Sequence, residues 1–234
     1  MDVKEALEKF SEYYDHRNDV EFPTIFSMCD FTDKRVAEIG AGHQGHFIKE
    51  LLNKTKSITA VDIDEKALEK LKKRINNDMV CYMKAPAEDL PFEDNSQDIV
   101  FSRWTIHEFD VDSAILEFCR VAKKHVFIVL PSEEGDETEM KNLKEDSSDK
   151  RKQRIDKIKA LMEHNGLSVK EERKLLSFTF PSMEEAFEIL HAVAFGHGLA
   201  EETKEVVKSF LLSRKDGDKI KFTQGASFIL GTKK

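Results

Sequence analysis

Cysteine is scarce in this sequence: Cys29, Cys81 and Cys119 are an odd number with no CxxC pair among them. That excludes a disulfide scaffold and a cysteine-based zinc site, and it suits a reducing compartment. Long apolar runs are lacking as well. Val126, Phe127, Ile128, Val129 and Leu130 form the longest run in any expected strand, far short of the ~20 residues that span a bilayer, so no membrane contact is expected. The opening residues Met1, Asp2, Val3, Lys4 and Glu5 lack the basic-then-apolar order of a secretion signal, and a cytoplasmic location is the expectation. Positive charge is in deficit, with 37 Lys and Arg against 45 Asp and Glu and a formal net charge of -8. Such a chain repels a phosphate backbone overall, which disfavours nucleic acid as a partner. The eight histidines show neither HxxxH nor Cys/His ligand spacing, so no metal is expected.

What is present is the composition of a globular protein. Of 234 residues, 40% are hydrophobic and 35% charged, which excludes disorder and collagen. A chain of this length buries roughly 70% of its unfolded surface and needs no staple. One domain is expected, with residues 1–30 as an N-terminal helical cap, 31–131 as a core, 132–152 as a polar excursion and 153–234 as a C-terminal part carrying a helical insertion at 182–213. From Val36 to Leu130, short β-branched runs alternate with segments of helical spacing, the pattern of βαβ units and a parallel sheet. Strands are expected at 35–39, 57–62, 79–84, 98–102 and 125–130. Between them, Phe47, Ile48, Leu51 and Leu52 mark one helix, Leu68, Leu71 and Ile75 a second, and Ile115, Cys119 and Ala122 a third. Val3, Leu7, Phe10 and Tyr14 make an amphipathic helix ahead of the sheet.

Residues 132–149 hold eight acidic and two basic side chains, and 150–159 hold six basic and one acidic. This reads as a mobile loop running into a solvated helix that starts near Asp149 and turns Ile155, Ile158 and Leu161 inward. Further on, 167–180 reads as a strand; Met183, Phe187, Leu190 and Ala194 mark a helix, Val207, Phe210 and Leu211 another, and 221–230 a last strand. Pairing of 170–178 with 221–230 would give a mostly parallel sheet an antiparallel edge.

The most informative stretch is Val36-Ala37-Glu38-Ile39-Gly40-Ala41-Gly42-His43-Gln44-Gly45-His46-Phe47, a strand entering a glycine turn and then a helix. Gly40, Gly42 and Gly45 match the dinucleotide fingerprint GxGxxG, and Asp62 lies where a ribose-binding acid belongs. On glycines alone, a pyrophosphate and a carboxylate ligand are equally served. Glu38 favours the second reading, because a carboxylate two residues before the turn repels a pyrophosphate and attracts a cation.

Here the chain resembles the class I S-adenosylmethionine-dependent methyltransferases, whose first motif ends a strand with an acid, as in Glu38-Ile39-Gly40-Ala41-Gly42. Ala60-Val61-Asp62-Ile63-Asp64 is similar to the family's second-strand motif. Ala87-Glu88-Asp89-Leu90-Pro91-Phe92, followed by Asp94-Asn95-Ser96-Gln97-Asp98-Ile99-Val100-Phe101-Ser102, resembles the type 11 (UbiE-like) branch. The resemblance covers 36–131 well and the rest loosely. It implies an α/β fold with a doubly wound, mostly parallel seven-stranded sheet in the order 3-2-1-4-5-7-6, its last strand antiparallel, with helical cap elements. It also implies S-adenosyl-L-methionine as cofactor and S-adenosyl-L-homocysteine as product. By this resemblance Glu38 meets the cofactor's ammonium, Gly40, Ala41, Gly42, Gln44 and Gly45 cradle its carboxylate end, Asp62 holds the ribose diol and Ile63 packs on adenine. Ala87 and Glu88 reach the adenine edge, and residues from Arg103 onward line the methionine side.

Methyl transfer from a sulfonium is an in-line displacement on an electrophile the cofactor has already activated, so few catalytic residues are required. His107 and Glu108, after the fourth strand, are the base candidates; capping or packing is the competing role. Tyr13, Tyr14 and His16 are candidates for covering the cofactor, with the N-terminal helix as a lid, against a plain surface helix; Trp104 is a candidate platform for the acceptor, against core packing; His191 and His197 are candidates for lining the acceptor pocket, against packing by His191 and capping by His197. The expected acceptor is a small molecule. Protein or RNA as acceptor, a non-catalytic cofactor-binding module and a nicotinamide-dependent oxidoreductase are the alternatives, and the oligomeric state is left open.

Overall fold

The structure is a computed structural model that describes residues 5, 6, 9, 10, 13, 19–143, 147–195 and 201–234. Its strands are β1 (Arg35–Ile39), β2 (Ser57–Asp62), β3 (Val80–Lys84), β4 (Gln97–Arg103), β5 (Ala122–Pro131), β6 (Leu167–Phe180), β7 (Lys215–Asp216) and β8 (Lys219–Lys233). They order as β3-β2-β1-β4-β5-β8-β6, with the two-residue β7 paired to β8. Apart from β7, which carries no periodicity to read, this is the expected order. The chain divides into two compact units, one of 24–130, 155–172 and 227–234, the other of 1–23, 131–154 and 173–226.

The first unit is a doubly wound α/β layer built on the period-two alternation of its strands. Ala37, Ile39, Val61, Val100, Val126 and Ile128 turn to one face and meet Ile115 and Phe118 of the helix Val111–Val121, and Ile155 and Ile158 of the helix Ser147–His164. The opposite face is aromatic. Phe47, from the helix His46–Leu51, stacks on Phe101 at 4.6 Å, and Phe101 meets Phe127 and Phe31 edge-on. Burying aliphatic side chains on one face and rings on the other is what removes polar alternation from β4 and β5. Parallel pairing sets Ile39 beside both Val61 and Ser102, so β1 stands where the strand order reverses.

Local signals set the helix ends. Asp64 accepts from the Lys66 N–H at 2.9 Å to open the helix Glu65–Ile75, and Lys72, Lys73 and Arg74 crowd its last turn, opposite the helix dipole. Asp110 caps Val111–Val121 through the Ser113 N–H at 3.0 Å. Ala122, expected on that helix, opens β5 instead. Arg120 then ties down the loop between β3 and β4, donating to the carbonyls of Leu90 and Phe92 and to Asp94, while Glu117 holds the Leu90 N–H. The β6–β8 edge is antiparallel: Ser168 donates to the carbonyl of Thr232, and Ser227 to Glu171, so the numbering runs oppositely along the two strands.

The second unit corrects one expectation. Where the sequence predicts a mobile loop over 132–149, the described residues 132–143 contain the helix Asp136–Asn142, whose acids are bound by bases distant in sequence. Glu137 accepts from both Arg151 terminal nitrogens (3.1 and 2.9 Å), from Lys141 (2.9 Å) and from Gln224 (2.9 Å). Arg151 also donates to the Ser132 carbonyl and to Thr138. Asp136 accepts from Arg214 and from the Thr223 N–H and hydroxyl, and Glu133 pairs with Arg173. A Cβ on Gly225 would lie 2.2 Å from the Ser132 hydroxyl oxygen, so only glycine lets 132–134 lie against β8. Apolar burial completes the unit: Phe10 stacks on Phe178 (5.1 Å) and Phe180 (6.3 Å), and Phe180 meets Phe222. The helices Met183–Phe195 and Glu201–Leu212 fall where periodicity placed them.

Candidate active site

A cavity of about 410 Å³ opens at the carboxyl ends of β1 to β4. In open parallel sheets this edge, at the reversal of strand order, is where ligands gather. Ile39 and Gly40 come from β1 and its turn, Asp62 and Ile63 from β2, Ala85 to Glu88 from the loop after β3, and Thr105, Glu108 and Phe109 from the segment after β4. Asp62, Glu88 and Glu108 make the lining acidic, and no Lys or Arg is among the described residues that form it. Glu38 is buried one residue before Ile39. Such a wall attracts cations and hydroxyl groups and repels phosphates.

The three glycines of the turn serve three purposes. A Cβ on Gly40 would lie 2.5 Å from the Thr105 hydroxyl oxygen and 3.0 Å from the Phe109 ring, so residue 40 is bare because the post-β4 segment packs on it. Gly42 has nothing within 4 Å of that position, which leaves its side open to a ligand, and Gly45 packs on Leu71 and Ile75. The turn is pinned to β2: the Asp62 carboxylate accepts from the N–H groups of Gly42 (2.8 Å) and Asp64 (2.9 Å). Ile63, beside it, is 68% exposed, an apolar shelf at the cavity wall. Glu88 accepts from the Asp110 N–H at 2.8 Å.

Backbone strain marks the exit of β4. Among the described residues, five non-glycine residues have positive φ; four are Asp or Asn, which tolerate it, and the fifth is Trp104, at +62°. The Trp104 N–H donates to the Val129 carbonyl at 2.8 Å and holds that kink, which turns the chain from β4 into Thr105.

Residues 37–130 match the model of a protein family described as a methyltransferase domain, type 11. This part of the chain is a methyltransferase domain. No curated protein sequence matches the chain. Among solved structures, the YcgJ protein from Bacillus subtilis is similar at 19% identity and a TM-score of 0.65, covering 91% of this chain and 97% of that one. A methyltransferase candidate from Bacillus halodurans is similar at 20% identity and a TM-score of 0.64, covering 90% and 97%. A phosphoethanolamine N-methyltransferase from Haemonchus contortus, solved with phosphomonomethylethanolamine and S-adenosylhomocysteine, is similar at 21% identity and a TM-score of 0.54, covering 86% and 49%. At these identities the structural likeness establishes the fold.

Of the residues singled out from sequence, the methyltransferase domain brings Gly40, Asp62, Ile63, Ala87, Glu88 and Glu108 to the cavity wall. Glu38, Ala41, Gly42, Gln44 and Gly45 lie in β1 and its turn, where Gln44 pairs with His46 at 2.7 Å and Gly45 precedes the helix His46–Leu51. Arg103 ends β4, half-buried. His107 sits 3.1 Å from Glu108 at the surface, on a single helical turn, Ile106–Glu108. In the other unit, Tyr13 donates to Glu185 and rests on Phe180 at 4.8 Å, and His191 stacks on Phe187 at 5.3 Å. Tyr14, His16 and His197 lie outside the described residues. Sequence reasoning did not single out Ile39, Ala85, Thr105 and Phe109 at the cavity; Thr105 and Phe109 pack on Gly40, a contact visible only once the fold is known.

Proposed function

We propose that the chain is an S-adenosylmethionine-dependent methyltransferase acting on a small-molecule acceptor. The observation that carries this reading is the cavity at the β1 to β4 edge, with three carboxylates, an exposed Ile63 and no cation in its described lining. The donor set fits the cofactor group by group. Asp62 and Glu88 offer acceptors for a ribose diol and an amino edge, Ile63 a surface for a planar base, and the open side of Gly42 room for a backbone-bound carboxylate. Glu38 supplies the negative charge for an ammonium group. A nicotinamide dinucleotide, by contrast, would bring a pyrophosphate to this acidic wall.

When bound, the cofactor supplies an electrophilic methyl group on a positively charged sulfur. The protein's part is to bind, orient and exclude water. Glu108, at the wall and paired with His107, takes up the acceptor's proton where the acceptor enters protonated. Tyr13 and His191 are assigned to acceptor recognition, and the protein works as a methyltransferase in the cytoplasm, without a metal. Incubation with methyl-labelled S-adenosylmethionine and cell extract, followed by separation of small molecules, protein and RNA, tests this. Label is expected in the small-molecule fraction; label confined to protein or RNA would overturn the acceptor assignment.

A further inference from the structure

Two hydroxyl groups join the exits of β1 and β4. Ser102, fully buried, places its Oγ 3.0 Å from Thr105 Oγ1, and Thr105 donates to the carbonyl of Ile39 at 3.4 Å. A hydroxyl carries one proton, so with Thr105's directed to Ile39 the chain runs Ser102 to Thr105 to Ile39. The same Thr105 side chain lies against Gly40, where an added Cβ would come within 2.5 Å of Oγ1 and 2.8 Å of the threonine Cβ. At the far end of this segment, the Asp110 N–H is held by Glu88. The stretch from 103 to 110 is therefore tied at its start to the β1 turn and at its end to the loop after β3, two of the elements that line the cavity.

We propose that Thr105 is a positioning residue for the cofactor cleft: its hydroxyl fixes the post-β4 segment over Gly40 and so sets the spacing between the glycine turn and Glu108. This rests on the methyltransferase reading above. Shape alone does not fulfil the role. Valine would fill the same volume, yet it would turn a methyl toward the Ile39 carbonyl and leave Ser102 without its acceptor in a buried place. Serine keeps the donor and the acceptor. Trp104, at a φ of +62°, turns the chain at the exit of β4, and the Thr105 side chain reaches the adjacent strand β1.

The test is calorimetric titration of S-adenosylhomocysteine into the wild-type chain, Thr105→Val, Thr105→Ser and Ser102→Ala, with thermal melts of each. Thr105→Val is expected to weaken binding about three- to tenfold, the loss of one modest hydrogen bond. Thr105→Ser should bind within about twofold of wild type, and Ser102→Ala should fall in between. Steady-state assays should show the valine variant raising KM for S-adenosylmethionine more than it lowers kcat, a split that a merely destabilised protein does not give. Wild-type affinity in Thr105→Val, or equal weakening in Thr105→Ser, would overturn the proposal. If the valine variant fails to fold, wild-type affinity in Ser102→Ala overturns it on its own. A wild-type chain that does not bind S-adenosylhomocysteine refutes the cofactor reading itself, whereas wild-type binding with unaffected variants refutes only the role of Thr105.

Discussion

Glu137→Gln removes one negative charge from a site where four donors converge. The carboxylate is 5% exposed and Arg151, its bidentate partner, 7%. Burial alone would raise the Glu137 pKa, but the charges of Lys141 and Arg151 prevail and bring it from the ordinary 4.5 down to about 2. A glutamine offers one acceptor oxygen and turns an NH2 group toward nitrogens that are themselves donors, leaving Arg151 buried without a counter-charge. Removing one partner of a buried pair costs about 3–5 kcal/mol, and that is the loss expected at neutral pH. Because the folded pKa lies below the unfolded one, the carboxylate's contribution is complete above pH 4.5 and fades as pH falls toward 2. At 1.36 kcal/mol per unit it amounts to about 3 kcal/mol, of which about 2 is gone by pH 3. Urea denaturation followed by far-ultraviolet circular dichroism, at pH 7 and pH 3, measures both quantities. The gap between wild type and variant should narrow by about 2 kcal/mol on acidification. A variant within about 1 kcal/mol of wild type at pH 7, or a gap independent of pH, would mean that the Glu137 charge does not hold Arg151 in place.

Further expectations concern the cavity. Gly40→Ala forces its Cβ into Thr105 at a φ of +73°, whereas Gly42→Ala meets nothing; the second should cost about 1–2 kcal/mol from backbone strain alone and the first clearly more, as thermal melts will show. Equal losses would mean that Thr105 does not pack on Gly40. Glu38→Gln should weaken S-adenosylhomocysteine binding by about 1–3 kcal/mol, and unchanged affinity would reject its role toward the ammonium. Ile63→Ala, at a 68% exposed side chain, should leave the melting temperature in place while weakening the same ligand by about 1–2 kcal/mol. A melting loss without an affinity loss would place Ile63 in the core rather than at the ligand.

The first five strands could be read from the sequence because β-branched runs at a period of two are local signals, and so were the helices with one apolar stripe. The glycine turn, Glu38 and Asp62 were legible for the same reason: each lies within a few residues of a strand end. What was hidden depends on partners distant in sequence. The acids Glu133, Asp136 and Glu137 look solvated until Arg173, Arg214 and Arg151 are seen beside them. The spacing of Ser102 and Thr105 suggests nothing until β1 lies next to β4. Tryptophan in a left-handed conformation runs against its own propensity, and the Val129 carbonyl that holds it belongs to the next strand.

Binding of S-adenosylmethionine in the acidic cavity at the β1 to β4 edge is tested by parallel calorimetric titrations of the whole chain with S-adenosylhomocysteine and with reduced nicotinamide dinucleotide. Saturable one-to-one binding of the first, weakened in Glu38→Gln and Ile63→Ala, with no heat from the second, is the predicted result. Binding of the nicotinamide dinucleotide, or no binding of S-adenosylhomocysteine at millimolar concentration, would contradict it.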